Sequence, residues 1–305
     1  MPCYKPLQAL VRPGRNGSKS TVTFPKTLPK SDTARHGTPT PLPCGQCIGC
    51  RLERSRQWAT RLMKERKLHD RSSFLTLTYD DAHLNLLPDG RSTLVLQDVQ
   101  LFLKRLRRHF APDPLRFFQC GEYGDKTDRP HHHMILFGED FCKDRTPIEP
   151  SRSGFPQYVS PLLTKIWSKG RATISEVSFE SAAYVARYCL KKVTGKGSQF
   201  FYKGRKPEFV TMSRNPGIAA AYFDEYFSDM YPSDEIIPDL GRPPSLPPKY
   251  FDKLLERVDP ALHAYIKKKR TEGLDFYNDP NSTDTRLAVR ERVKAAIIKN
   301  CLKRD

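Results

Sequence analysis

The sequence predicts an α+β protein: a central antiparallel sheet flanked by helices, with a cysteine cluster near the N-terminus and a basic helical C-terminal extension. Residues 74–79 and 115–120 are rich in β-branched and aromatic side chains, which is typical of strands. Residues 95–110 repeat apolar side chains with the period of an amphipathic helix. A glycine-containing loop separates two neighbouring strand segments, which favours antiparallel pairing.

Charge limits the partners of the chain. Its 305 residues include 52 Lys and Arg against 34 Asp and Glu, a formal net charge of +18. Such an excess attracts polyanions, so nucleic acid is the first candidate partner and an anionic membrane surface the second. The sequence contains no basic amphipathic helix of the kind that binds membranes. With no signal-peptide pattern and no apolar run near the roughly 18 residues of a membrane span, we expect a cytosolic protein.

Composition predicts four segments along the chain. Residues 1–70 combine a polar arm, the cysteine cluster and a basic helix, and residues 71–230 form the predicted core. Prolines recur in residues 231–248, which suits a stiff, extended linker. Residues 249–305 read as basic helices, for which wrapping around DNA and an ordinary charged surface are equal alternatives.

Three cysteines lie within seven residues, at Cys44, Cys47 and Cys50. Two-residue gaps allow successive thiolates to turn toward one ion, and a structural Zn²⁺ takes four ligands in a tetrahedron. Cys3 is the candidate for the fourth ligand. An iron–sulfur cluster is the competing metal site, although the ferredoxin pattern requires a fourth cysteine three residues further on. Unligated cysteines in a glycine-rich turn are the alternative without metal.

The cysteine cluster is followed by a helical pattern at residues 51–69, most of whose surface is basic. Arg54, Arg61 and Lys64 belong to this basic surface. Next to a metal-stapled turn in a very basic protein, these side chains are candidates for phosphate contacts. A merely solvated face explains them equally well.

A run of three histidines in the predicted core supplies candidate metal ligands. Residues 129–138, Arg-Pro-His-His-His-Met-Ile-Leu-Phe-Gly, read as a strand entered from a turn. Because side chains alternate along a strand, His131 and His133 share one face and His132 takes the other. Neutral imidazoles suit a divalent ion, and Glu122, across the short turn, is placed to add a carboxylate oxygen. Histidines hydrogen-bonded to the backbone are the structural alternative.

The rest of the core reads as short elements of alternating type. In order, these are a loop at 139–156, a short helix at 158–168, a strand at 171–179, a hairpin at 199–214 and a helix at 216–230. The tip of the predicted hairpin carries Lys203, Arg205 and Lys206, which are candidates for DNA contacts. A solvated turn explains these three side chains equally well.

A second chemical motif is the predicted helix at residues 181–193, whose first residue, a serine, is the expected N-cap. Tyr184 and Tyr188 are four residues apart and therefore stack on one face of this helix. Lys191 and Lys192 lie within one turn of Tyr188. The tyrosines point away from the apolar stripe, which suggests that they face a cleft or solvent. Packing beneath a loop is the structural alternative.

A tyrosine hydroxyl is a weak nucleophile at its usual pKa of about 10, but nearby ammonium groups and a metal-polarised phosphate make its attack feasible. Attack on a DNA phosphodiester would leave a phosphotyrosine and a free hydroxyl end. The bond energy is retained, so the strand can later be rejoined. Two tyrosines one turn apart allow one to hold the DNA while the other cuts the next junction.

Together these motifs resemble the HUH endonucleases, and among them the two-tyrosine replication initiators of small single-stranded DNA phages. The strand with His131 and His133 matches the metal motif of the family, although the intervening residue, usually apolar, is His132 here. The run Tyr-Val-Ala-Arg-Tyr-Cys-Leu-Lys-Lys from Tyr184 matches the nucleophile motif. The opening Met-Pro-Cys-Tyr and the cysteine cluster resemble the gokushovirus branch of the microviruses, and the resemblance extends to about residue 218.

The resemblance implies an HUH-type sheet and a Mg²⁺ or Mn²⁺ ion, with Gln119 competing with Glu122 as third ligand. It also implies nicking of a supercoiled double-stranded origin, with the 5′ end held on tyrosine while host helicase and DNA polymerase extend the 3′ end. A second attack would circularise the displaced single strand. By the same resemblance, the site of action is the cytoplasm of a bacterial host.

We therefore expect a metal-dependent, site-specific DNA nickase and ligase that initiates rolling-circle replication. A transposase or plasmid initiator of the same chemistry is the related alternative. The alternative from another class is a non-catalytic zinc protein that binds nucleic acid through the cysteine cluster and the basic helices. The sequence contains no glycine-rich ATP-binding loop followed by Lys-Ser/Thr, so we expect a partner to unwind the DNA.

Overall fold

The computed structural model describes residues 3–12, 14, 20–25, 38–124, 127–151, 154–188, 197–273 and 275–302. The chain forms two compact units, one of residues Met1–Arg54 with Thr271–Asp305 and the other of residues Ser55–Arg270. This division differs from the four segments predicted from composition. Among the described residues, no helix is both long and apolar enough to cross a membrane.

The described strands are β1 (Leu7–Arg12), β2 (Thr21–Thr23), β3 (Thr38–Leu42), β4 (Ser72–Thr78), β5 (Arg116–Tyr123), β6 (Pro130–Phe137), β7 (Thr146–Ile148), β8 (Gln157–Val159), β9 (Ala172–Ser175) and β10 (Phe209–Met212). The described α-helices are α1 (Ile48–Arg66), α2 (Leu96–Phe110), α3 (Pro161–Trp167), α4 (Phe179–Tyr188), α5 (Ser198–Tyr202), α6 (Ala220–Met230), α7 (Lys249–Val258), α8 (Pro260–Thr271) and α9 (Asp284–Leu302).

The first unit contains a three-stranded antiparallel sheet in the order β2-β1-β3. For this part of the chain, the composition predicts an extended arm with one short strand at residues 20–24, and the structure has β2 there. Polar contacts join the N-terminal part of this unit to its C-terminal part. Lys5 forms an ion pair of 3.3 Å with Glu291, and the Tyr277 hydroxyl donates to the side-chain oxygen of Gln8 at 2.8 Å.

The second unit is built on a seven-stranded sheet in the order β10-β5-β6-β4-β9-β8-β7. Every pair of neighbouring strands in it is antiparallel. The predicted fold class, a central antiparallel sheet flanked by helices, is confirmed. The adjacent strands β5, β6 and β4 are those that the sequence predicted most clearly, because all three are rich in buried apolar side chains.

Each face of this sheet has its own core, because side chains alternate along β4, β5 and β6. On one face, Phe74, Phe118 and Ile135 pack in a cluster with apolar residues of α1, α4, α6 and α7. On the other face, a second cluster includes residues of α2 and α3, with Met134 and Trp167 fully buried. Full burial of a large apolar side chain contributes about 1.5–3 kcal/mol, so both layers hold the central strands in place.

The proline-rich segment 231–248 packs on the first of these two cores, although the sequence suggested an extended linker. Tyr231 and Ile236 are 2% and 5% exposed and belong to the cluster that contains Phe118. At the end of α8, the Arg270 guanidinium joins Asp234 in this segment to Asp252 of α7, with contacts of 2.6 and 2.8 Å. Apolar burial and ion pairs therefore tie the segment to the second unit.

Three other local predictions were wrong. The predicted hairpin at 199–214 is the short helix α5 followed by β10, and β10 pairs with β5. The predicted loop at 139–156 contains β7, and the helix predicted from residue 158 is preceded by β8. These strands are three or four residues long, so their own composition carries little signal and pairing with the sheet decides their conformation.

Candidate active site

The register of β5 against β6 brings one acidic and two imidazole side chains together. In this antiparallel pair Glu122 lies opposite His131, and Cys120 lies opposite His133. Residues directly opposite each other project to the same face, as do residues two apart on one strand. The carboxylate and both imidazoles therefore point to the face that also carries Phe74.

The polar atoms of these three side chains converge. Nε2 of His131 lies 2.7 Å from Oε1 of Glu122, and Nε2 of His133 lies 3.0 Å from the same oxygen. Glu122 is 2% exposed and His133 is 6% exposed, so the group is largely shielded from water. The three sequence-predicted metal residues thus form a compact cluster in which one ligand atom from each lies within 4.8 Å of the others.

Hydrogen bonds at the other ring nitrogens orient both imidazoles. Nδ1 of His131 lies 3.1 Å from the backbone carbonyl of Arg129, and because a carbonyl only accepts, this nitrogen carries the proton. Nε2 of His131 is thereby turned toward Glu122. Nδ1 of His133 lies 3.1 Å from the hydroxyl of Thr76 on β4. Metal-binding histidines are typically held in this way through the nitrogen that faces away from the ion.

The donor set fits a divalent cation. Burial alone would raise the pKa of Glu122, but its hydrogen bonds to His131 and His133 outweigh burial and lower the pKa, so the carboxyl group is ionised. An ionised carboxylate facing two imidazole nitrogens is a suitable ligand set for a first-row divalent ion. Because Mg²⁺ prefers oxygen ligands alone, two nitrogen ligands suit Mn²⁺ better.

The middle histidine and the competing glutamine lie on the opposite face of the sheet. Nε2 of His132 is 3.0 Å from the hydroxyl of Tyr79, and His132 is fully buried. Gln119 pairs with Met134 rather than with a ligand histidine, and its amide donates to the hydroxyl of Thr211 at 2.6 Å. Both residues are therefore outside the candidate metal cluster.

The tyrosine helix α4 begins two residues earlier than predicted. Ser178 and Ser181 form a reciprocal capping pair: the backbone N–H of Ser178 donates to the Ser181 hydroxyl at 2.8 Å, and the backbone N–H of Ser181 donates to the Ser178 hydroxyl at 3.1 Å. Ser181, the predicted N-cap, is therefore the inner member of the pair. Ala182 and Val185 are fully buried in the core cluster, which fixes the predicted apolar side of the helix against the sheet.

Tyr184 lies beside the candidate metal cluster. Its ring meets the ring of His133 edge to face, with centroids 5.2 Å apart and an interplanar angle of 83°. It also contacts Phe74, at 6.5 Å, and the guanidinium of Arg187 lies 5.8 Å from the centre of its ring. Tyr184 is half-buried, so it is neither a core residue nor fully presented to solvent.

Three other predicted catalytic residues are at or beyond the end of α4. The helix ends at Tyr188, and the side chain of this residue lies outside the described part of the chain. Lys191 and Lys192 lie in residues 189–196, which are also outside it.

Thr76 and Arg187 contact candidate site residues, although the sequence did not single them out. Thr76 shares a face with Phe74 by strand alternation, but only the register of β4 against β6 pairs it with His133. Arg187 lies between the two tyrosines in the sequence, and its proximity to Tyr184 by helical spacing could have indicated it.

The predicted DNA-binding residues fall into two groups. Arg61 and Lys64 are buried, at 9% and 3% exposure. The Arg61 guanidinium is stacked between Trp58 and Tyr250, 4.1 and 3.8 Å from their ring centres. Arg61 also donates to the carbonyl of Ile218 at 2.9 Å. Their burial corrects the prediction for Arg61 and Lys64, which are packing residues of the core.

The remaining basic candidates are nearer the surface. Arg54, Lys203 and Lys206 are exposed. Arg205 is held against the protein, with its guanidinium 2.5 Å from Asp128 and 3.6 Å from the centre of the Tyr123 ring. Lys203 and Lys206 are therefore better placed than Arg205 to meet a polyanion.

The cysteine cluster lies in the first unit. One sulfur from each of Cys3, Cys44, Cys47 and Cys50 lies within 4.8 Å of the others, and none of the four is in a disulfide. Cys3, Cys47 and Cys50 are buried, whereas Cys44 is partly exposed. The predicted fourth member, Cys3, is therefore brought to the three local cysteines from more than forty residues away in sequence.

The second unit is thus an α+β domain with a carboxylate and two imidazoles on its central strands and a tyrosine helix against them. Its residues 72–193 match the family model of the Replication-associated protein ORF2/G2P. The Replication-associated protein ORF2 of Spiroplasma virus 4 is 35% identical over 286 residues, covering 88% of this chain and 86% of that protein.

Two further relatives are similar. Replication-associated protein VP4 of Bdellovibrio phage phiMH2K is 30% identical over 330 residues, covering 99% of this chain and 98% of that protein. Replication-associated protein ORF4 of Chlamydia phage 1 is 33% identical over 227 residues, covering 72% of this chain and 54% of that protein. No solved structure matches the chain. The chain belongs to the family of replication-associated proteins of these phages, which confirms its resemblance to microvirus replication initiators.

Proposed function

We propose that this protein initiates DNA replication of a single-stranded DNA phage by nicking DNA at a specific site and later rejoining it. Its relatives are named as replication-associated proteins, which supports a role in DNA replication. The nicking chemistry is inferred from the chain's own residues. Tyr184 and Tyr188 are the proposed nucleophiles, and His131, His133 and Glu122 are the proposed metal ligands.

One contact carries the proposal. The ring of Tyr184 lies against His133, whose Nε2 is 3.0 Å from the carboxylate of Glu122. A phosphate held beside the imidazoles would therefore be close to a phenol. If the tyrosine helix lay on the other face of the sheet, with Tyr79 and His132, this chemistry would be impossible.

The proposed step is a transesterification at phosphorus. The tyrosine oxygen forms a bond to phosphorus while the bond from phosphorus to the 3′ oxygen breaks. The phenol loses its proton, and the departing 3′ oxygen gains one, so no water is consumed. The product is a 5′-phosphotyrosine with a free 3′ hydroxyl. The guanidinium of Arg187 places a positive charge 5.8 Å from the centre of the Tyr184 ring.

A divalent cation bound by His131, His133 and Glu122 would supply polarisation of the scissile phosphate. The carboxylate is already ionised in the cluster, and the imidazoles are held by Arg129 and Thr76, so the ligands need no rearrangement to present their donor atoms. We propose Mn²⁺ or Mg²⁺ for this role.

Rejoining is the reverse of cleavage. A 3′ hydroxyl attacks the phosphotyrosine, the bond between tyrosine and phosphorus breaks, and the phenol recovers its proton. With a second tyrosine one turn away, the protein can hold one 5′ end while it cuts the next junction. Host helicase and DNA polymerase, acting in the bacterial cytoplasm, would extend the 3′ end between the two events.

The test uses a supercoiled plasmid that carries the origin, incubated with the full chain and Mn²⁺. We expect nicked circles and a covalent protein–DNA adduct with the natural protein, reduced adduct with Tyr184→Phe or Tyr188→Phe, and none with both. Tyr265→Phe, at an exposed tyrosine, is the matched control and should leave the adduct unchanged. Persistence of the adduct in the double variant would overturn the proposal.

The non-catalytic alternative predicts a different pattern. If the protein only binds nucleic acid through the cysteine cluster and basic residues, replacing His131 and His133 by alanine would leave its action on supercoiled DNA unchanged. We expect these replacements to abolish nicking while DNA binding persists. Binding without nicking would thus separate the catalytic site from the DNA-binding surface.

A further inference from the structure

Four thiols in the first unit meet at a place that the DNA chemistry does not use. Cys44 and Cys47 flank a tight turn, Cys50 lies in the first turn of α1, and Cys3 precedes β1. Gly45 in this turn has a φ of +74°, a conformation that glycine adopts without a steric penalty. The turn folds the chain back so that Cys44 and Cys47 face the same point.

Backbone amides point at these sulfurs. The N–H of Tyr4 donates to Sγ of Cys47, and the N–H of Cys44 donates to Sγ of Cys3, each at 3.3 Å. The N–H of Cys47 donates to Sγ of Cys44, also at 3.3 Å. Such hydrogen bonds stabilise negative charge on sulfur, and thiolates are the form that binds metal.

We propose that Cys3, Cys44, Cys47 and Cys50 bind a structural Zn²⁺ ion. Zinc at the centre of a sulfur tetrahedron with Zn–S of about 2.3 Å requires sulfurs about 3.8 Å apart. Sγ of Cys3 and Sγ of Cys47 are 3.9 Å apart. All four positions are filled by protein, so the site leaves no coordination position for substrate, which is the arrangement of structural rather than catalytic zinc.

The first unit needs such a staple. Among the residues of this unit that the structure describes, the buried apolar side chains other than cysteine are those of Ala9, Leu10 and Leu287. A core this small buries too little apolar area to offset the conformational entropy lost on folding. Metal binding to folded thiolates contributes directly to folding free energy. The ion would therefore take the place of a hydrophobic core.

Metal analysis of the purified full-length protein is the first test. We expect about one equivalent of zinc per chain, lost with Cys47→Ser or Cys50→Ser. Cys142→Ser is the matched control, because Cys142 is a free, exposed cysteine outside the cluster, and it should retain the zinc. Replacement of zinc by Co²⁺ should give the absorption bands of tetrahedral thiolate coordination. Iron with acid-labile sulfide, or no tightly held metal, would overturn the proposal.

Two further measurements separate this site from the proposed catalytic one and from misfolding. The double variant His131→Ala/His133→Ala should keep its zinc. Loss of zinc from this variant would show that the histidine cluster binds the ion and would overturn the proposal. In the unmodified protein, a thiol-specific mercurial should release the zinc. Tryptic cleavage after Arg51 should then become about 10-fold faster, because the segment next to Cys50 opens locally. Unchanged cleavage after release would show that the ion does not hold the unit together.

Discussion

The hydroxyl of Tyr79 lies 3.0 Å from Nε2 of His132 and 3.0 Å from Oδ2 of Asp98, on the sheet face opposite the candidate metal cluster. The hydroxyl donates its single proton to the carboxylate, so it accepts from Nε2 of His132. Burial is the main reason that the pKa of His132 falls to about 3, with the neighbouring His131 and His133 adding to it. His132 is therefore neutral and structural.

Removal of this hydroxyl should cost stability but not metal binding. In Tyr79→Phe the buried N–H of His132 loses its acceptor, and we expect the free energy of unfolding to fall by about 1–3 kcal/mol in urea titrations. Affinity for Mn²⁺ should stay within about twofold of the natural protein. A variant that keeps its stability but loses Mn²⁺ affinity would identify His132 as a ligand instead.

A prediction about metal affinity concerns Thr76, whose hydroxyl lies 3.1 Å from Nδ1 of His133. Thr76→Val removes the hydroxyl with little change in shape, and we expect Mn²⁺ affinity measured by calorimetry to fall about 10–100-fold. Thr78→Val is the control, because the Thr78 hydroxyl donates to the carbonyl of Arg171 and not to a candidate ligand. Equal loss in both variants would refute an orienting role for Thr76.

Exposed lysines at the end of α5 should contribute to DNA affinity through phosphates. We expect Lys203→Gln and Lys206→Gln each to weaken binding similarly for all DNA sequences. Each should also reduce the slope of log affinity against log salt concentration by about one. Lys143→Gln, at an exposed lysine beyond the other end of β6, is the control. Filter-binding titrations at several salt concentrations provide the measurement. An unchanged salt slope would remove these lysines from the DNA-binding surface.

Buried Lys64 should give the stability of the protein a distinct pH dependence. Burial, reinforced by Lys67 and opposed by Asp239, lowers the pKa of Lys64 to about 8. Between about pH 8 and pH 10.5 the unfolded chain holds a proton that the folded chain has lost, so the free energy of unfolding rises with pH in this window. Below about pH 8, Lys64 is protonated in both the folded and the unfolded chain, so the cost of burying its charge does not change with pH.

Lys64→Met should therefore stabilise the protein at neutral pH. We expect a gain on the order of 1–2 kcal/mol after loss of the contact between the Lys64 ammonium and the Tyr222 ring, and a flatter profile up to about pH 10. Urea unfolding at several pH values measures both effects. Lys104→Met, at an exposed lysine of α2, should leave the profile unchanged. If the free energy of unfolding of Lys64→Met rose with pH as steeply as that of the natural protein, Lys64 would not be the source of the pH dependence.

The three candidate ligands were predictable because their signal is local. Alternation along one strand put His131 and His133 on a common face, and a short turn brought Glu122 within reach. The same alternation separated His132 from them. The register that pairs His133 with Thr76 was not predictable, because it depends on β4, more than fifty residues earlier in the chain.

Predictions failed where distant contacts decide the outcome. Arg61 reads as a surface residue of a basic helix, yet its charge is enclosed by Trp58 from its own helix and Tyr250 from α7. The composition of the proline-rich segment predicts a linker, because the neighbouring residues give no sign that Tyr231 packs in the core. Local composition gives helix and strand periods, whereas the partner of each polar side chain follows from the tertiary fold.

The pair of serines at the start of α4 also determines where the proposed nucleophile, Tyr184, points. Each residue turns an α-helix by about 100°, so the angular position of Tyr184 is counted from the point where Ser178 and Ser181 begin the winding. One extra residue between that point and Tyr184 would swing the phenol roughly a third of a revolution away from His133. The number of residues between Ser178 and Tyr184 thus sets the direction of the Tyr184 hydroxyl relative to His133.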